Sequence, residues 1–581
     1  MHWIASITFF VVRRVKAAYV TPSLGLVASA VILTQIAACG GGDSSGGTSG
    51  GGTAAGQSVS RADAQRFLEQ SSFGSTDAET ARVQSMGLQA YLADQFNTPS
   101  SGYPGFVYYP HSADVSCQYD STQPNGGPGA ICNRDNYTLF QVQRMFFQNA
   151  LSGPDQLRQR VAFALSQIFV VSGTEIYEAY GMAGFQQMLA DNAFGNFRDL
   201  LMNVTLSPVM GNYLDMVNND KPNPTRGTEP NENYARELMQ LFSIGLYALN
   251  PDGTQQTDAQ GKPIPTYDQD VIEGYAHVFT GWTYAPRPGV ASKWTNPINY
   301  EGPMVVVTAH HDTGTKELLG GRVLPANQTP EKDLSDAIDS IFNHTNVGPF
   351  IGKQLIQKLV TGNPSPAYVA RVTAAFNNNG QGVRGDMKAV ISAILLDPEA
   401  RGDAKTAADY GHLREPALHI ASLLRTLGGV SDGVYLRGQM SSQGQNLYTP
   451  ASVFNYYPPD YLVPGTTTLG PEFGIQDTST TLNRANLINQ IVFGGGANPD
   501  TTVTGAVGTK LDVTPLAALT DPAQLVDRLN DQLLHNSLSG PARNAIIQAV
   551  TAVPASSKDT TLRAKTAVYL IATSPQYQVE R

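Results

Sequence analysis

Cysteine is scarce in this chain, with three in 581 residues, and tryptophan is equally rare. No C-x-x-C pair occurs. There is also no G-x-S-x-G elbow, no H-E-x-x-H helix and no phosphate-binding loop of the G-x-x-x-x-G-K-[ST] type. A familiar hydrolase or nucleotide enzyme usually carries one of these. A serine triad assembled only in space stays open. Basic patches and arginine-rich runs are missing and the net charge is -10, so nucleic acid is not an expected partner. Strand signals are few, and no internal repeat is found.

The N-terminus, by contrast, carries a secretion pattern. Arg13, Arg14 and Lys16 precede an apolar run over 17–38 that ends 33-LTQIAAC-39. A basic region, a short apolar stretch and small residues before a cut site read as a signal peptide, 1–38. Pro22 and the small residues argue against a permanent transmembrane helix. Ile36-Ala37-Ala38-Cys39 resembles the bacterial lipobox, in which cleavage falls before the cysteine and the cysteine takes the lipids. Gly40 follows it and no aspartate does, a pattern that leans towards the outer membrane of a double-membraned bacterium. Residues 39–57 are a Gly/Ser-rich tether that cannot bury apolar surface. The expectation is an exported protein held at the membrane by lipidated Cys39.

Export bears on the other two cysteines. Cys117 and Cys132 bracket 118-QYDSTQPNGGPGAI-131, which is rich in turn formers. In an oxidising compartment they are expected to form a disulfide worth about 3 kcal/mol in the chain-entropy model. A two-cysteine metal site is the weaker alternative, with only His111 close by.

Residues 58–581 remain for the folded body, and 41% hydrophobic content suits a soluble acidic globule. Helix signals dominate. Ser60 opens 60-SRADAQRFLEQSSFG-74 as an N-cap. A helix is expected over 154–173, from Pro154 to Gly173. Thr329, Pro330 and Glu331 start another over 329–344. Further helices are expected over 347–360, 366–376, 386–396, 415–427, 522–534 and 540–553. The β-branched run 303-PMVVVTA-309 reads as a short strand, and 246–267 as a hairpin-like excursion. The Gly/Thr/Ala-rich stretch 494–514 reads as an exposed loop and marks a sub-boundary if there is one. The fold class is mainly α: a large multi-helix globular body with a few short β-strands and a hairpin.

Charges inside apolar segments single out candidate site residues. In 228-TEPNENYARELMQLFSIG-245, Tyr234, Leu238 and Leu241 share one helical face, and Glu232 and Arg236 lie together on another. The segment is apolar nearly all round, so the helix is expected inside the protein, where charges must be paired or bind something. One reading is an internal Glu232–Arg236 ion pair. The other is a polar site with Glu237 as base or metal ligand. The second place is 309-AHHDTGTKELLGG-321, with His310, His311, Asp312 and Lys316 near a strand end. Histidine beside aspartate can relay protons or ligate a metal. Adjacent residues of an extended chain point opposite ways, so only alternate ones face a common site. His277 reads as a satisfied interior group. Arg414 and Glu415 read as a helix cap and an ion pair.

These pieces together resemble the bacterial family called domain of unknown function 1800. The matching blocks run in order: 66-RFLEQSSFG-74, 157-LRQRVAFALSQIFVVS-172, 194-FGNFRDLL-201, 231-NENYARELMQLFSIG-245, 279-FTGW-282, 311-HDTGTKELLG-320, 413-LREP-416 and 452-SVFNYYPPDY-461. The resemblance implies a large, exported, mainly helical protein with no established reaction. It also suggests a partner or shared pathway with another exported family, domain of unknown function 1501. Glu232, Asn233, Arg236 and Glu237 match one block, His311, Asp312, Gly314 and Lys316 a second, and Arg414 and Glu415 a third. There is one departure. Many relatives carry Trp-His-Asn-His in the early helix, where this chain has Leu165, Ser166 and Gln167, which lowers the expectation of a shared catalytic metal.

Two functions follow. An envelope enzyme would gather Glu232, Arg236, Glu237, His311, Asp312 and Lys316 for acid–base hydrolysis. A divalent metal is open as its cofactor but not favoured. Alternatively, a lipid-anchored binding or assembly protein would use the polar blocks as structural ion pairs. It would then present the Tyr-rich loops 176-IYEAYG-181 and 454-FNYYPPDYL-462 to a partner.

Overall fold

The computed structural model describes residues 59–109, 117–118, 120–407 and 409–581. The expected signal, Cys39, the tether and His111 lie outside the described residues. Gln57–Arg581 form one compact unit.

Helices start where their caps sit. The Ser60 hydroxyl accepts the Asp63 N–H at 3.1 Å and opens Arg61–Ser71. Thr329 caps Pro330–Phe342, Ser365 caps Pro366–Asn377, and Asp386 caps Met387–Leu395. The helix expected over 154–173 is shorter, Gln156–Ser166. Beyond Ser166 the chain turns, yet Ile168, Phe169 and Val171 stay buried. Apolar character there marks depth in the core and not helical continuation.

Among the described residues, strands occur only as antiparallel pairs. Trp282–Thr283 pairs with Val305–Val306, Lys316–Leu318 with Arg322–Leu324, His412–Leu413 with Val579–Glu580, and Val430–Ser431 with Thr509–Lys510. Isolated bridges Tyr247↔Pro265, Leu249↔Gln255 and Thr257↔Pro263 make 246–267 an antiparallel excursion. The expected strand at 303–309 is held to two residues because Thr308–His310 tightens into a 3₁₀ turn.

One helix organises the region of the candidate residues. Gln269–Val278 lies against the strand Lys316–Leu318 so closely that a Cβ on Gly274 would meet the Glu317 carbonyl oxygen at 1.8 Å. Its other side meets Asn233–Gln240: the Tyr234 and Phe279 rings pack edge to face, centroids 5.1 Å apart. Cys117 and Cys132 form a disulfide with Cα atoms 4.9 Å apart. Among the described residues no helix is long and apolar enough to cross a membrane.

Candidate functional site

The helix Asn233–Gln240 is amphipathic and does not lie wholly inside the protein. Tyr234, Ala235, Leu238 and Met239 are buried, while the Arg236 and Glu232 side chains are 40% and 33% exposed. The helix ends after two turns because Ile244 and Gly245 both donate to the Met239 carbonyl and turn the chain away. Arg236 Nη2 and Glu232 Oε2 pair at 2.8 Å, one helical turn apart. Gln269 Nε2 donates to both Glu232 oxygens at 3.0 Å. The expected ion pair is present, but at the surface. Glu237 points the other way. It is buried, its Oε2 has no hydrogen-bond partner, and burial raises its pKa against the pull of Arg236.

The second block splits in two, as alternation requires. His310 faces outward, bonded to Asp220 at 2.9 Å and stacked on Trp294 with centroids 4.0 Å apart. His311 faces inward and is fully buried. Its Nδ1 meets the Thr280 carbonyl at 3.0 Å, and its Nε2 meets Asp333 Oδ2 at 3.0 Å. Lys316 Nζ reaches the same Asp333 oxygen at 2.7 Å and donates to the Asp312 and Gly314 carbonyls. Gln328 Nε2 fills the other oxygen, Oδ1, at 2.6 Å. Burial pushes the Asp333 carboxyl up, but these bonds outweigh it and hold the pKa below the usual carboxylate range. Gly281 makes the close approach possible. It adopts φ +87°, and a Cβ there would lie 2.9 Å from the His311 nitrogen. That is the physical content of 279-FTGW-282.

Asp312 belongs to another pair. His277 Nδ1 bonds its Oδ2 in a short contact, and Gly314 N donates to its Oδ1 at 2.7 Å. The His277 bond is the main cause that lowers the Asp312 pKa to about 2. The side chains of His277 and Asp312 are 28% and 18% exposed, so His277 is a rim residue and not a sealed interior one. A partly exposed imidazole oriented by a carboxylate is placed as a general acid or base would be.

The six expected residues therefore do not converge on one reacting point. Glu232 with Arg236 is one arrangement and Glu237 alone another, while Asp312 with His277 and His311 with Lys316 are neighbouring pairs joined by the Lys316 bond to the Asp312 carbonyl. Asp333 and His277 are the partners that sequence reading missed. They lie 22 and 35 residues from their histidine and aspartate.

A third centre joins three of the sequence blocks. Gln167 Nε2 donates to both Glu415 oxygens at 3.1 Å. Gln167 Oε1 accepts the Lys358 ammonium at 2.8 Å. The Tyr457 hydroxyl lies 2.9 Å from both Gln167 Oε1 and Glu415 Oε2, and Lys358 Nζ sits 4.0 Å from the centroid of its ring. Gln445 Nε2 adds a short bond to Glu415. All five side chains are buried, and burial is the main cause that lowers the Lys358 pKa. Glu415 thus neither caps its helix nor pairs with Arg414. Arg414 turns to Glu69, to the Tyr577 carbonyl and to Glu580, 3.7 Å away. His412 lies 3.5 Å from both Glu472 and Glu580. Burial would lower its pKa, but the two carboxylates raise it to about 9. Among the described residues, no group of three or more His, Cys, Asp and Glu side chains is placed to hold a metal ion.

Fold and clusters define a mainly α body pinned by buried ionic and amide networks. Residues 66–579 match the family model described as "Protein of unknown function (DUF1800)", and the chain belongs to that family. No curated protein and no solved structure matches it.

Proposed function

We propose that this protein is an exported, lipid-anchored component of the bacterial envelope that works by binding and assembly. The observation that carries the reading is the His311–Lys316–Asp333 cluster. Both ring nitrogens and both carboxylate oxygens are engaged, and none of the three side chains is more than 1% exposed. Such a cluster fixes the helix Pro330–Phe342 against 309–321 and leaves no atom for a substrate. A partner surface is supplied by apolar side chains at the rim of the Tyr-rich loop: Phe454 and Leu462 are 54% and 49% exposed, while Tyr457 serves the core. The partner we propose is an exported protein of the domain of unknown function 1501 family, with Cys39 holding the complex to the outer membrane.

The test is co-purification of the full-length protein with that partner from detergent-solubilised envelopes. A complex weakened by Phe454→Ser with Leu462→Ser, and a Cys39→Ala variant released from the membrane fraction, are expected. No complex by co-purification or cross-linking overturns the reading.

One observation favours a second reading, acid–base hydrolysis: the half-exposed His277–Asp312 pair. Under that reading His277→Ala abolishes turnover of an envelope polymer while the fold stays intact.

A further inference from the structure

Between the start of the helix Phe140–Ser152 and the helix Val434–Met440, the surface opens into a cavity of about 390 Å³. That volume falls within the range of roughly 300–1,000 Å³ usual for small-molecule sites. Arg437, Tyr177, Asn446, Ser441 and Thr138 are on its wall.

Arg437 is the unusual member. Among the described residues its side chain has no acidic partner and donates no hydrogen bond. Its Nε is sealed from solvent without an acceptor, and its terminal nitrogens remain accessible. The guanidinium lies over the Phe140 ring, 4.5 Å from the centroid, and Arg134 lies over the same ring at 4.3 Å. Arg134 has its counter-charges, Asp135 at 2.7 Å and Asp500 at 3.7 Å. Arg437 has none, although it is half-buried beside a second cation. A cation left in this state is costly, and an incoming anion relieves the cost.

The rest of the wall says what kind of anion. Gln143 Nε2 holds Asn446 Oδ1 at 3.2 Å and the Leu447 carbonyl at 2.8 Å, which fixes the Asn446 amide and leaves its Nδ2 to donate. Ser441 adds a hydroxyl oxygen, while the Thr138 hydroxyl is already held between the Arg134 carbonyl and the Phe140 N–H. Tyr177 is 47% exposed and offers an apolar ring at the rim. A guanidinium fork matches a planar carboxylate in two parallel bonds. Amide and hydroxyl groups match a polyhydroxylated ligand, and an exposed ring matches the C–H face of a pyranose.

We propose that this recess binds a hexuronate unit of an acidic polysaccharide, with the sugar carboxylate on Arg437 and the ring against Tyr177. The proposal uses none of His311, Lys316, Asp333, Phe454 and Leu462, on which the proposed assembly function rests, so either can fail alone.

The experiment is calorimetric titration of the full-length protein in detergent with a galacturonate tetramer, a neutral glucose tetramer and sodium acetate. The uronate oligomer is expected to bind. Arg437→Gln is expected to weaken it about tenfold or more, the scale of one charge-assisted hydrogen bond, and Tyr177→Ala to weaken it severalfold. The neutral oligomer is expected to give no signal. No binding of the uronate at roughly millimolar concentration, where such weak sites are filled, overturns the proposal. So does uronate binding that is unchanged by Tyr177→Ala and Arg437→Gln. Acetate binding as tight as the oligomer makes the recess a bare-anion site and overturns the sugar assignment. If Arg437→Gln does not fold, Tyr177→Ala, at an exposed position, and Asn446→Ala, at a half-buried one, decide, and wild-type affinity in both overturns it.

Discussion

Gln167 and Lys358, 191 residues apart, meet in the core with Oε1 2.8 Å from the ammonium nitrogen. The same amide donates to Glu415, so one neutral side chain bridges a buried cation to a buried anion. Removing the bridge strands the ammonium. Gln167→Leu should cost about 1.5–3 kcal/mol, the range for hydrogen bonds to charged groups. Lys358→Met should cost less, because Glu415 keeps Tyr457 and Gln445. The double variant should recover part of the Gln167→Leu loss. Urea unfolding of the four proteins gives the cycle, and strict additivity would mean that the two residues are not coupled.

Glu237 should behave in the opposite sense. Its folded pKa lies above the unfolded one because burial penalises the charge. The penalty is absent at low pH, where both states are protonated. It grows as pH rises from the unfolded pKa to the folded one, then levels off. Glu237→Gln should therefore stabilise the protein more at pH 8 than at pH 4, as read by the urea midpoint. An equal effect at both values would place the carboxylate in contact with water.

For Asp312 the sign reverses. Its folded pKa of about 2 lies below the ordinary aspartate value. The stabilisation it brings is fully present above the unfolded pKa and is lost as pH falls towards 2. Asp312→Asn and His277→Ala should each flatten that acid limb of the stability profile. Carbon-detected NMR titration of Asp312 should show its pKa rise once His277 is removed.

Gly274→Ala tests the seat of the whole region. The added Cβ meets a backbone oxygen, which cannot swing aside as a side chain can. A loss of roughly 2–3 kcal/mol is expected from overpacking. Amide exchange should rise first in Lys316–Leu318 and its partner Arg322–Leu324. Unchanged protection there would mean that the helix can slide without cost.

Much of this architecture is legible in the sequence, because caps and periodicity are local. Ser60, Thr329 and Asp386 mark helix starts that the structure keeps. The sequence suggests that His310 and His311 point opposite ways, and they do, although a 3₁₀ turn ending at His310, with His311 extended after it, sets the directions and not a continuous strand. The Glu232–Arg236 pair follows from a spacing of four. What stays hidden is whatever needs a distant partner. Nothing near His311 announces Asp333. Lys358 sits in an apolar helix with no motif around it, and Glu415 finds its amide 248 residues away. The ARELM helix lies shallower than its composition suggests for a related reason. Apolar residues around a helix do not say which turn carries the chain back to the surface.

Arg414 draws its partners from both extremes of the body: Glu69 from the first helix, and the Tyr577 carbonyl and Glu580 from the last turn and strand. Arg66 likewise donates to the Arg581 carbonyl, 515 residues away. A ribosome releases these pieces in sequence, so from its own emergence until residues 577–580 follow, Arg414 has Glu69 alone among these counter-groups. The core around it closes last, after the final strand Val579–Glu580 has emerged to pair with His412–Leu413. Contacts of such long separation make folding slow. Until residues 577–580 have been made, this part of the growing polypeptide thus stays open.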